Sequence, residues 1–140
     1  MNDSVVAAEK FFVDTFVRKE RRERLWYELS HPKKRYHGLS RFCHQSSVLL
    51  NPDKILLSGS DLKSQESFRE FVKKNSETCL ILSPDSSLDR RIHPLCDAIA
   101  LSVKCLDASI IVGSHFAVVR SEAGPGITEH YLLVEKKERL

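Results

Sequence analysis

Cys43 and His44 stand side by side, and a thiol next to an imidazole is the nucleophile–base pair of many covalent catalysts. Neighbouring positions on a helix diverge by about 100°, so the two side chains are expected on different faces, with Cys43 a buried structural residue and His44 in solvent. His37, Arg41 and His44 recur at i, i+4 and i+7 and share a face. Their imidazoles lie two turns apart with a guanidinium between them, which repels a cation. The pattern therefore predicts no metal site and no cofactor, but a polar surface, with an anion or phosphate contact as the alternative reading.

A second constellation lies in the turns. Residues 58–61, 83–87 and 113–115 each follow an apolar run. If the first three strands are parallel, these turns emerge at one sheet edge, where open sheets with helical crossovers bind ligands. That edge would gather Asp61, Ser83, Asp85, Ser86, Arg90, Arg91, Ser114 and His115, with His93 nearby. Ser114 and His115 with Asp61 or Asp85 are the residue types of a hydrolase, and a helix N-terminus after Ser83 suits an anion. No Gly-x-Ser-x-Gly elbow and no glycine-rich phosphate loop is present, and Ser, Asp, Pro and Gly are also ordinary turn residues. His115 alternates with Ile111, Ala117 and Val119, as a hydrogen-bonded core histidine would. Glu122 and Glu129 flank a hairpin turn, where carboxylates are usually solvated. His130 and Tyr131 fall on opposite sides of the last strand.

The third signal is charge. Nine of the 22 basic side chains lie between residues 18 and 41: Arg18, Lys19, Arg21, Arg22, Arg24, Lys33, Lys34, Arg35 and Arg41. Only Glu20, Glu23 and Glu28 oppose them there, although the whole chain carries a net charge of just +3. Clustered Lys and Arg beside Trp26, Tyr27 and Tyr36 suit a nucleic acid, through phosphate contacts and base stacking. The same face suits a protein partner, and intrahelical pairs such as Glu20–Arg24 would neutralise part of it.

These residues need a scaffold, and the apolar periodicity supplies one. Residues 4–29 read as a long helix capped by Asp3 or Ser4, with Val5, Ala8, Phe12, Phe16, Trp26 and Leu29 on one side. Lys19 and Glu23 interrupt that stripe, so residues 18–24 are expected to cross solvent or meet a polar partner. Pro32 ends the helix. A second helix over 35–50 gathers Leu39, Phe42, Cys43, Leu49 and Leu50, with His37, Arg41, His44 and Val48 opposite. Further helices are expected at 62–74 and 91–106, with Pro94 in the first turn of the latter. Strands are expected at 55–57, 79–82, 109–120 (with a bulge or bend at 113–115) and 128–135, the last two forming a hairpin across 122–126.

The resulting order, α-α-β-α-β-α-β-β, predicts an α+β (mixed α/β) domain over 1–140. A helical pair at 1–50 packs on an α/β portion at 53–136, with one small mixed sheet of about four strands. Both crossovers are long enough for parallel connections.

A chain of 140 residues, 41% apolar and 29% charged, is long enough to bury a core and too apolar to stay disordered. No apolar run has the roughly 20 residues of a membrane span. No basic leader with an apolar stretch opens the chain, so its four cysteines read as reduced thiols of a cytoplasmic protein. By elimination, the expected function is a non-enzymatic protein-interaction or regulatory module, in the style of immunity proteins, antitoxins and adaptors. It would use Arg18, Arg21, Arg22, Arg24, Trp26, Lys33, Lys34, Arg35, His37, Arg41 and His44. Nucleic-acid binding through the same face and small anionic-ligand binding or hydrolysis at the strand-end turns are the alternatives. A homodimer through Phe11, Val13 and Val17 is a further option.

Overall fold

The computed structural model describes residues 3–104, 108–124 and 126–136. Helix α1 (Asp3–Phe16) is followed by a short 3-10 turn, α2 (Arg22–Ser30), α3 (Pro32–His44) and the single turn α4 (Ser46–Leu49). Strand β1 (Ile55–Gly59) leads through a 3-10 turn to α5 (Glu66–Lys74), β2 (Thr78–Leu82) and β3 (Ile92–Pro94). Then come α6 (Leu95–Lys104), β4 (Ser109–Val112), β5 (Phe116–Gly124) and β6 (Ile127–Val134).

The long first helix is broken where its apolar stripe fails. The chain turns at Val17, which is fully buried and bridges to Leu50, while the Asn51 amide donates to the Phe16 carbonyl. Arginines serve the carbonyls that the break leaves without helical partners. Arg18 Nε donates to Leu50 O at 3.0 Å and Arg22 Nε to Val17 O at 2.9 Å. A polar gap without a partner for its face is thus a corner of the chain, not a rod through solvent. After the corner, α2 buries Leu25 and Leu29, and α3 opens with Pro32 as its first helical residue. The α2–α3 hairpin is close: a Cβ on Gly38 would sit 2.7 Å from Glu28 Cβ.

The sheet has six strands in the order β1-β6-β5-β4-β2-β3, and every neighbouring pair is antiparallel. This corrects the expected mixed sheet of about four. The long crossovers do join strands of one direction, β1 to β2 through α5 and β3 to β4 through α6. Oppositely directed strands fill the places between. Continuous apolar runs such as β2 and β4 signal burial on both faces, and helices on both sides bury an antiparallel sheet as well as a parallel one. Residues 113–115 make a full reversal, not a bulge, because Phe116 folds back onto Gly113, where a Cβ would lie 2.4 Å from its ring. Residues 92–94 pair with β2 instead of starting a helix, and Pro94 is tolerated there on the edge strand. The expected hairpin of β5 and β6 is present.

Alternation along the strands feeds two cores. Leu80, Leu82, Ile110, Val112, Val119 and Leu133 face Phe12, Phe16, Leu39 and Phe42 of α1–α3. Ile81, Ile111, Val118, Leu132 and Val134 face Phe68 of α5 and Leu95 and Ala98 of α6. Val13 and Val17 are buried in the first core and Phe11 packs edge-on against Phe16, so these residues do not form the dimer surface expected of them.

Candidate functional site

The basic segment does not present one charged face. Arg35 is buried: it grips Asp89 with Nε and Nη2 at 2.7 and 3.0 Å, contacts Glu9, and donates to Leu29 O. Burial alone would lower its pKa, but Asp89 and Glu9 outweigh that and hold it above its ordinary value. Arg90 shares the Glu9 carboxylate at 3.2 Å, so α1, α3 and the β2–β3 loop are joined by a quartet of two arginines and two acids. Arg41 pairs with Glu28, and Arg24 reaches the same carboxylate at 4.0 Å. Arg18 and Arg22 serve the helix break. Trp26 is half-buried under Lys10. Arg21, Lys33, Lys34, His37 and His44 remain exposed, with His44 3.8 Å from Glu122. Cys43 is fully buried, apart from the exposed His44 imidazole.

The expected ligand edge is also dispersed. β4 runs against β1 and β2, so the turn 113–115 leaves the opposite end of the sheet from residues 58–61 and 83–87. Ser114 donates through its amide and hydroxyl to Glu77, and His115, which is exposed and not a core residue, pairs with Glu135 at 2.7 Å. Neither meets Asp61 or Asp85, and the hydrolase set is not assembled. Ser83 is buried with its hydroxyl on Ala108 O, Asp85 accepts from Ser87, Arg91 reaches Ser87 O, and Ser86 is exposed.

Of that set Asp61, Ser114 and His115 border three separate cavities, and the one at Asp61 is the most distinctive site of the protein. It measures about 300 Å³ and lies between the sheet, α6 and the turn after β1. Its apolar wall includes Phe68, Ile99, Ile111 and Val118. Its floor is polar. Ser109, Arg120 and His130 are successive cross-strand neighbours on β4, β5 and β6, opposite Gly59 of β1, and so point to one face.

Arg120 Nη1 donates to Ser102 O at 2.9 Å, which fixes the guanidinium against α6. Ser109 is 1% exposed, and its hydroxyl has no hydrogen-bond partner among the described residues. The same holds for Nδ1 of His130. The His130 pKa is lowered, first by burial and then by the Arg120 charge. Lys63 adds to this, while Asp61 and a hydrogen bond to the Ser60 backbone oppose it. The neutral form of His130 is therefore favoured.

No family model, no curated protein and no solved structure matches the chain. The site must be judged on its own chemistry. Among the described residues no group of three His, Cys, Asp or Glu side chains could hold a metal ion, and no helix is long and apolar enough to cross a membrane.

Ser109, Arg120 and His130 were not singled out as a site by sequence, yet a signal existed. Phe116 and Val118 put Arg120 at an inward position of β5, and Leu132 and Val134 do the same for His130 on β6. A polar residue in an inward register is more informative than an exposed one.

Proposed function

We propose that this chain is a small-molecule-binding module whose ligand occupies the cavity between β4–β6 and α6. The observation that carries this reading is the pairing of an apolar enclosure with a row of three polar side chains, two of which hold buried atoms without partners among the described residues. Ligand sites are concave, mainly apolar and furnished with a few polar groups that orient the guest, and about 300 Å³ lies within their usual range. Unmet hydrogen-bonding groups in a folded protein are uncommon, and a bound polar group is one way to meet them.

A neutral fluorescent probe such as phenylnaphthylamine tests the reading. It should bind saturably at one site on protein that still melts cooperatively. Val103→Trp places bulk at the mouth, where Val103 is 49% exposed, and should abolish binding without unfolding the protein. Probe fluorescence unchanged in that variant would remove the cavity from consideration.

A second reading is docking of a protein partner at the α2–α3 elbow. It rests on Tyr27 and Tyr36, which are 51% and 60% exposed and lie against His31 and His37 beside Lys33 and Lys34. Exposed aromatics among cations are common at recognition surfaces.

A further inference from the structure

The α2–α3 elbow carries positive charge that the fold does not use. From Leu29 to Pro52 the sequence holds no Asp or Glu, while Lys33, Lys34, Arg35 and Arg41 all lie in that stretch. The two arginines are engaged inside the protein, Arg35 with Glu9 and Asp89 and Arg41 with Glu28. Lys33 and Lys34 are exposed and make no ion pair among the described residues. Exposed tyrosines adjoin them. The Tyr27 ring lies on His31 with centroids 4.1 Å apart, and the His31 carbonyl accepts from the Lys34 amide, so this stack abuts the first turn of α3. Lys33, Tyr36 and His37 recur at i, i+3 and i+4 and share a face of that helix. Tyrosine offers a partner a large, rigid contact area at low entropic cost.

Resting on the second reading, that a protein partner docks at this elbow, we propose that the partner docks through an acidic segment, with its carboxylates on Lys33 and Lys34 and a neighbouring apolar or aromatic residue against Tyr27 and Tyr36. A nucleic acid fits less well. Arg18, Arg22, Arg35 and Arg41 are engaged within the fold, and Glu20 and Glu23 stand exposed just before Tyr27, where a continuous phosphate backbone would meet them. A short acidic segment needs only the two lysines, whose flexible stems follow carboxylates without a fixed geometry. Complementary charge of this kind governs partner choice and rate of encounter more than raw affinity, and it is screened by salt.

Selection of random short peptides, displayed on phage, against the full chain tests this. Recovered sequences should be enriched in Asp and Glu beside an apolar or aromatic residue, and a synthetic peptide of that consensus should bind more weakly as salt is raised. The double variant Lys33→Glu with Lys34→Glu should keep a cooperative melt and lower affinity for that peptide at least tenfold. Used as bait, it should shift the selection toward basic sequences. If it does not fold, Lys33→Gln with Lys34→Gln takes its place and should lower the affinity severalfold. Tyr27→Ala with Tyr36→Ala should weaken the peptide as well. Recovery of uncharged or basic sequences whose binding is lost in the tyrosine variant overturns the acidic segment and leaves the elbow as a docking site. Acidic sequences that bind the lysine variant unchanged overturn it too. Tight, salt-sensitive binding of a labelled oligothymidylate that is lost in the lysine variant overturns it in favour of a nucleic acid. Sequences that bind both variants unchanged, or no enriched sequence at all, remove docking at the elbow and the acidic segment with it.

Discussion

On the α1–α3 side of the sheet, Glu9 is 1% exposed and meets two guanidiniums; on the α5–α6 side, Ser109 is equally sealed and meets nothing among the described residues. Both are polar groups taken out of water, yet they carry opposite information. The Glu9–Arg35–Asp89–Arg90 quartet is neutral and internally satisfied, which is how a buried charge becomes tolerable. It fastens helices to a loop and leaves nothing to offer a partner. In the Ser109–Arg120–His130 row, Ser109 Oγ and His130 Nδ1 have no partner among the described residues, and the row borders a cavity. Abundance of charge in a sequence therefore says little about where a protein binds. What distinguishes the two regions is whether the polar atoms are already engaged.

The comparison is most exposed to test at Glu9. Glu9→Gln leaves Arg35 and Arg90 without their shared countercharge in a sealed site, and removing one partner of a buried ion pair costs about 3–5 kcal/mol. Urea denaturation should show a midpoint lowered accordingly with an unchanged slope. A loss below about 1 kcal/mol would mean that the quartet is solvated in practice and that the two regions differ less than their geometry says.

A smaller effect is expected at the helix break. Arg18→Ala removes the hydrogen bond to Leu50 O and should cost about 1–2 kcal/mol. Lys33→Glu, on the exposed start of α3, should stay within about 0.5 kcal/mol. Equal effects of the two in thermal melts would contradict the division of the basic segment into structural and free cations. The division also bears on any interaction test: charge reversal at Arg18 or Arg22 disturbs the fold, so Arg21, Lys33 and Lys34 are the positions to reverse.

This division explains which parts of the molecule were legible in the sequence. The α+β class, the core side of α3 and the terminal hairpin followed from periodicity, because apolar residues repeat where one face is buried. Leu39, Phe42 and Cys43 are buried, and His37 and His44 are exposed, as their spacing on the helix requires. Strand direction was not legible, since β2 and β4 are apolar on both faces whichever way their neighbours run. Nor was the fate of Arg35. It lies 26 residues from Glu9 in sequence and 54 from Asp89, and no local pattern reports a pairing at that range. The cavity was hidden for a related reason: its three polar residues come from three strands and share only a register. Arg120 and His130 could have been marked as inward polar positions, whereas Ser109 before Ile110 and Ile111 looks like a strand boundary.

On the cavity side, acid sensitivity is the next effect in size. The folded-state pKa of His130 is below the ordinary value of 6.5, so the unfolded chain binds the proton more readily. Stability contributed by the neutral ring is complete above pH 6.5 and is lost as pH falls through the folded-state value. Melting temperatures measured downward from pH 7 should therefore decline less steeply in His130→Gln than in the unaltered protein. Parallel declines would assign the acid sensitivity to other groups and would leave His130 without the burial that the cavity is inferred to impose.

The smallest expected change is also the sharpest contrast with Glu9. A buried hydroxyl that has a partner costs stability when removed, whereas one without a partner already bears its desolvation penalty in the folded state. Ser109→Ala should therefore leave the protein unchanged or more stable, by up to about 1 kcal/mol, despite the deletion of a polar atom from a site as sealed as that of Glu9. The same variant should bind a polar cavity ligand more weakly, because the hydroxyl without a partner among the described residues is the one such a ligand would engage. Stability and affinity moving in opposite directions at a single atom is the signature of a group held for a ligand. A drop in both would show instead that Ser109 has a structural partner, and the distinction between the two faces of the sheet would then rest on His130 alone.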